Sequence, residues 1–311
     1  MHKIFKTCTL AILFNLLLIA CNFTTPENYQ NSENTSESST AATQIKQSQA
    51  YKPAIENAQR IVSLTSLSAD IIHRLDATKL VGIPGSRLLR KDERFQKLPT
   101  VSEGRTPPNI EKIVALKPDL VVGVAGFHDQ TFKQLNDLGI STLASETNSW
   151  NSLIQHTKEL AEVTNTDPTP LLQKYDSFIK DIPATNSSIL VLVSIQPVLS
   201  PNKRSWTGDL LNKLNANNLT ANLQGQSIGE GYITLSEEKI VQENPEILLV
   251  VDPAKTGVIT QLKSKSFWGK LKAAQNEKVY VFDYYGLVNP GSIDKIAETF
   301  NQLRKILNSS T

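Results

Sequence analysis

One short phrase occurs twice in this chain. Glu111-Lys112-Ile113-Val114 continues as Ala115-Leu116-Lys117-Pro118, and Glu238-Lys239-Ile240-Val241 continues as Gln242-Glu243-Asn244-Pro245. Each copy leads into an apolar run, Leu120–Val124 or Ile247–Val251. The phrase predicts a short helix that buries its Ile-Val pair, a proline that stops the helix, and a strand apolar on both faces. Such a strand belongs to a sheet covered on both sides. Meeting the unit twice predicts two related α/β lobes, each carrying a glutamate at the same place on its outer surface.

The rest of the chain extends the plan. Strand patterns at residues 60–65, 79–83 and 140–144 alternate with helical patterns at 68–75, 132–138 and 150–163, which is α/β architecture. A second set follows, with strands at 189–194 and 278–283 and helices at 208–214, 236–242 and 292–307. Between the sets, residues 170–182 read as one helix, because Leu171, Leu172, Tyr175, Phe178, Ile179 and Ile182 recur at helical spacing. A single helical crossing makes a stiff connector.

The first residues set the compartment. Lys3 and Lys6 precede an apolar stretch over residues 10–20, which is too short to span a bilayer and ends in Leu18-Ile19-Ala20-Cys21. This predicts a lipoprotein signal peptide over residues 1–20, with Cys21 as the lipidated first residue of the mature chain. Residues 21–50 are mostly Asn, Ser, Thr, Glu and Gln, a composition that buries too little surface to offset the entropy of ordering. They read as a tether with an end-to-end distance on the order of 30 Å. The chain has two cysteines, and Cys8 leaves with the leader, so no pair remains for a disulfide or thiolate metal site. Lys and Arg total 32 against 30 Asp and Glu, a formal charge of +2 that loss of Lys3 and Lys6 brings near zero. Nothing in that balance points to nucleic acid.

Five further segments stand out: Arg60-Ile61-Val62-Ser63-Leu64, the run Pro108 through Val122, Leu135-Asn136-Asp137-Leu138-Gly139-Ile140, Trp206-Thr207-Gly208-Asp209-Leu210-Leu211 and Phe267-Trp268-Gly269-Lys270-Leu271. In these the body resembles the substrate-binding proteins of ABC importers for ferric siderophores, haem and cobalamin. It departs from the family's common wording at Asp70, where glutamate is frequent, and at Asn215-Ala216-Asn217, where a leucine-glycine turn is common. The resemblance implies two Rossmann-like α/β lobes joined by a single long spine helix. The N-terminal lobe is then residues 51–166, the spine 167–184 and the C-terminal lobe 185–311. It also implies a monomer with no cofactor and only modest closure about the spine.

In that family one glutamate per lobe contacts the permease dimer, which works with its ATPase; Glu111 and Glu238 match those positions. Each could instead be a solvated acid placed favourably in a first helical turn, and Glu237 could substitute for Glu238. The ligand is expected between the lobes, over loops that leave the carboxyl ends of the strands. Candidates there are Arg87, Arg105, Phe127, His128 and Trp150 from one lobe, with Arg204, Trp206, Tyr232, Tyr284 and Tyr285 from the other. Aromatic faces with guanidinium groups suit a bulky planar or chelated anion. That favours a ferric siderophore, with haem and cobalamin as alternatives.

Direct metal capture is disfavoured by the histidines. His2 leaves with the leader, His73 and His156 lie in helical patterns, and only His128 falls in a cleft loop, where it or a tyrosine could complete a coordination sphere. An enzyme is disfavoured by the lack of a Gly-x-Ser-x-Gly elbow, a His-Glu-x-x-His pair, a P-loop and a dinucleotide turn. An envelope sensor that has lost transport is a further alternative, against which both glutamates speak.

Overall fold

The computed structural model describes residues 56–103, 106–183, 185–224, 230–252 and 257–308. The first lobe runs β1 (Ile61–Ser63), α1 (Ser66–Asp76), β2 (Leu80–Gly82), α2 (Arg87–Arg90), α3 (Ile110–Ala115), β3 (Leu120–Val124), α4 (Asp129–Asp137), β4 (Ser141–Ser145) and α5 (Trp150–Thr164). The connecting helix α6 spans Thr169–Ile179. The second lobe begins β5 (Thr185–Leu192), β6 (Ser194–Ile195), β7 (Val198–Pro201), α7 (Trp206–Lys213), β8 (Ala216–Asn218) and β9 (Tyr232–Thr234). It continues α8 (Glu237–Glu243), β10 (Ile247–Val251), α9 (Val258–Lys263), α10 (Lys272–Gln275), β11 (Val279–Phe282), the kinked turn α11 (Tyr284–Leu287) and α12 (Ile293–Asn308). The signal peptide, Cys21, the tether and Arg105 lie outside the described residues.

Each lobe is built on a four-stranded parallel sheet, and the two sheets have the same order. The first is β2-β1-β3-β4 and the second, read in the same sense, is β8-β5-β10-β11. The strands that follow the repeated phrase, β3 and β10, are interior in both. Both are buried almost throughout, as a strand covered by helices on each face must be.

The repeat extends to the helix ends. Asn109 caps α3 by accepting from the Lys112 N–H at 2.8 Å, and Ser236 caps α8 by accepting from the Lys239 N–H at 3.2 Å. Lys117 and Asn244, the residues before Pro118 and Pro245, both adopt positive φ, 48° and 43°. Only half of each Ile-Val pair is buried, which corrects the sequence expectation. Ile113 and Ile240 are fully buried, whereas Val114 is 40% exposed and Val241 half-buried. Adjacent helical residues point about 100° apart, and helices this short present only a narrow stripe to the sheet.

The connecting helix is shorter than the periodicity predicts. It stops at Ile179, Asp181 takes a positive φ of 58°, and Ile182 precedes Pro183, which disfavours helix at the residue before it. At 1.5 Å per residue, α6 is about 16 Å long. It does not join the lobes alone. One hydrophobic cluster runs without interruption from Ile71, Phe95 and Leu153 through Tyr175 and Phe178 to Trp206, Leu210, Phe300 and Leu303. The closing helix α12 thus packs against α6 and α1, although it comes last in the chain.

An ion-pair network covers the edge of this joint. The fully buried Asp70 carboxylate accepts from Arg74 Nε at 3.1 Å, pairs with Arg94 Nη1 at 2.9 Å and takes the Ile293 N–H at 2.7 Å, capping α12 from the other lobe. Asp294 pairs with Arg74 at 2.6 Å, Arg94 at 3.2 Å and Lys174 at 3.7 Å. A small antiparallel sheet, β6-β7-β9, was not anticipated from sequence, because strands of two to four residues give too short a pattern.

Candidate ligand-binding cleft and docking helices

Strand β4 ends at Ser145, and the chain turns through Glu146-Thr147-Asn148 before Ser149 caps α5. In the other lobe, Asn202-Lys203-Arg204 leads from β7 to Ser205, which caps α7 by accepting from the Gly208 N–H at 3.0 Å. That turn lies so close that a Cβ on Gly208 would sit 1.9 Å from the Asn202 carbonyl oxygen, so only glycine fits. The small sheet pairs Pro201 with Tyr232, and Asn202 N–H donates to the Gly231 carbonyl at 2.9 Å. Glu230 and Tyr232 are thereby held beside Arg204.

These two loops face each other across a cavity of about 140 Å³. Glu146, Thr147 and Asn148 line one side, while Arg204, Ser205, Trp206, Glu230, Tyr232 and Val288 line the other. Arg204 is exposed, and its guanidinium has no ion pair among the described residues. Burial, with Tyr284 nearby, pushes the Tyr232 phenol up to about 12, so it stays a neutral donor at physiological pH. Trp206 lines the cavity with little of its surface. It is 3% exposed, and its Nε1–H donates to the Gly286 carbonyl at 2.8 Å.

Three of the expected cleft residues therefore fall at the cavity: Arg204, Trp206 and Tyr232. Tyr284 lies close by, 37% exposed, with its ring edge-on to Tyr285 at 5.5 Å. Tyr285 is half-buried against Gly291, where Leu88 of α2 also approaches from the first lobe. This places the helix carrying the exposed Arg87 at the same interlobe seam, outside the cavity. Phe127, 79% exposed, follows Gly126 at a φ of 77° and does not line the cavity either.

Two candidates are structural instead. Trp150 is 2% exposed and stacks on Trp206 with centroids 6.3 Å apart, and its N–H donates to Asp209 Oδ2 at 2.6 Å. As the first residue of α5 it turns inward, because the helix buries that face against Tyr175 and Phe300. It backs the cavity rather than lining it. His128 is 5% exposed, and its Nδ1 accepts the Val124 N–H at 2.9 Å, closing the turn after β3. Desolvation lowers its pKa, so it is a neutral ring engaged in the fold rather than an open metal ligand. The cavity residues missed from sequence, Glu146, Thr147, Asn148, Ser205, Glu230 and Val288, lacked an aromatic or basic signature. The position of 146–148 at the carboxyl end of a strand was the available signal.

On the outer surface, Glu111 and Glu238 are both exposed in the first turns of α3 and α8. Neither forms an ion pair with any described residue. Hydrogen bonds from its own N–H and from the Ser236 hydroxyl lower the Glu238 pKa. The neighbouring Glu237 is tied to Lys265 at 3.2 Å, which separates the two acids that sequence left interchangeable.

Two α/β lobes with one shared sheet order meet at a cleft between loops that follow their strands. Residues 61–285 match the periplasmic binding protein family, and the chain belongs to it. Its members are non-enzymatic transport components, the substrate-binding subunits of ABC importers. Among relatives, the chain is 24% identical to the uncharacterized ABC transporter substrate-binding lipoprotein YvrC of Bacillus subtilis, over 72% of this chain and 73% of that protein. It is 23% identical to the Fe(3+)-citrate-binding protein YfmC of the same organism, over 88% and 89%. Among solved structures, the petrobactin-binding protein YclQ of Bacillus subtilis superposes with a TM-score of 0.70 at 18% identity, covering 81% of this chain and 93% of that one.

Proposed function

We propose that this protein is the lipid-anchored capture subunit of an ABC importer for a ferric siderophore, holding its ligand between the lobes and docking on a permease dimer through Glu111 and Glu238. The observation that carries the docking reading is the matched pair of capped helices, each presenting one exposed glutamate that forms no ion pair with any of the described residues. A lone exposed charge pair contributes about 0–1 kcal/mol, but two at a fixed separation set orientation and speed encounter. The siderophore reading is supported by Arg204, Trp206 and Tyr232 at the cavity and by the names of the Fe(3+)-citrate-binding protein YfmC and the petrobactin-binding protein YclQ. The anchor reading is supported by the Leu18-Ile19-Ala20-Cys21 sequence and by the lipoprotein name of YvrC.

The test is cellular uptake of a radiolabelled ferric siderophore with Glu111→Lys and Glu238→Lys combined. Uptake is expected to fall to background while ligand affinity, measured on the purified variant, stays within twofold of wild type. A matching loss of affinity would overturn the docking assignment. Cys21→Ser is expected to move the protein from the membrane to the soluble fraction.

A further inference from the structure

Val288 forms part of the cavity wall and closes the turn 284–288. Two bonds fix that turn to α7: Trp206 Nε1–H donates to the Gly286 carbonyl at 2.8 Å, and Thr207 Oγ1–H donates to the Leu287 carbonyl at 2.7 Å. The other side of the turn rests on α12. A Cβ on Gly286 would sit 2.2 Å from the Lys295 carbonyl oxygen and 2.3 Å from Thr299 Oγ1, so a shift at the start of α12 is passed to the turn.

The start of α12 is gripped from the first lobe. Leu88 Cδ2 approaches Gly291 so closely that an added Cβ would lie 3.2 Å from it, and Asp70 takes the Ile293 N–H at 2.7 Å. Two arginines of the first lobe then bridge the same two carboxylates. Arg74 reaches Asp70 through Nε at 3.1 Å and Asp294 through Nη2 at 2.6 Å, while Arg94 reaches Asp70 through Nη1 at 2.9 Å and Asp294 through Nη2 at 3.2 Å. A guanidinium presents its donors in a rigid fork, so two forks on one pair of acids define a direction as well as an attraction. A buried ion cluster adds little stability over packed apolar side chains, and its best-attested use is to fix register.

We propose that Arg74 and Arg94, each bridging Asp70 to Asp294, form a positioning clasp that sets the register of α12 against the first lobe and, through Gly286, the place of the Val288 wall of the cavity. The four side chains lie outside the cavity lining and act through the turn. That this wall belongs to a ligand site rests on the capture reading above, whereas the register does not, and the test reads the register alone.

The experiment is hydrogen exchange of the Trp206 indole N–H, followed by NMR on the indole-labelled full chain in detergent micelles. The chain has three tryptophans, and Trp206→Phe assigns the signal. Asp294→Ala removes the half-exposed end of the clasp and leaves Asp70 paired with both arginines, so it strands no buried charge; Arg94→Met removes one fork. Exchange is expected to quicken about fivefold in Asp294→Ala and about tenfold in Arg94→Met, because the turn that accepts the bond opens more often. Ile240→Val loosens a separate cluster of the second lobe and should leave the rate within about twofold of wild type. Should Arg94→Met fail to fold, Asp294→Ala decides alone. An unchanged rate in Asp294→Ala, or equal acceleration by Ile240→Val, would overturn the clasp and leave the capture reading, which the uptake test decides separately, standing.

Discussion

His156 shows how a single residue can carry a pH dependence unrelated to ligand. It is buried in the helix α5, its Nε2 lies 2.8 Å from Ser68 Oγ, and its Nδ1 has no hydrogen-bond partner. Burial lowers its pKa from 6.5 to about 4. Between these values the unfolded chain binds the proton and the folded one does not, so stability is fully present above about pH 6.5 and falls as pH drops toward 4. A shift of this size corresponds to about 3 kcal/mol. Urea denaturation at pH 7.5 and 4.5 should show that loss in the wild type, and His156→Leu should remove most of it; an unchanged difference would refute the assignment. The sequence marked His156 only as a helical histidine. Its partner Ser68 lies on another helix, and nothing local to either residue announces the pairing.

At the scale of the element, the repeated helices were the most legible part of the molecule. Ile113 and Ile240, the prolines and the following apolar strands all stand where the phrase placed them, because helix stops and two-sided burial are local consequences of residue type. The exposure of Val114 was not legible, since the width of the buried stripe depends on what the sheet offers beneath it. Nor was the end of α6, where helical periodicity reached Ile182 but Pro183 and the left-handed Asp181 prevailed. The caps give a prediction. Asn109→Ala and Ser236→Ala should each cost about 1 kcal/mol of stability. If Glu111 and Glu238 dock as proposed, each variant should also lower uptake without changing ligand affinity, because the first turn that holds the glutamate would fray. Unaltered uptake in the double variant would show that docking does not need those turns ordered.

At the scale of the whole molecule, two repeated lobes do not imply two independent folding units. The cluster from Ile71 to Leu303 crosses the joint, and Asp70 caps α12 from the opposite lobe. Opening the lobes widely would expose that cluster and strand a buried carboxylate, which opposes large hinge motion. Calorimetry is expected to give one cooperative transition for the body, with calorimetric and van't Hoff enthalpies in agreement. Two resolved transitions would show that the lobes unfold separately and that the shared core does not couple them.

The sequence by itself determined the alternation of strands and helices, the duplication of the lobe, the family and the outward glutamates. Each follows from short-range periodicity, a stop residue or a repeated phrase. Only the tertiary structure decided which loop residues face the cleft, and it moved Trp150 and His128 into the fold while bringing Glu146 across from Arg204 and Glu230. Those placements depend on the packing of α5 against α7 and of β9 against β7, contacts between segments some 30 to 60 residues apart in the chain. A residue's type records what it can bind, but which neighbours it meets is set by packing across the joint.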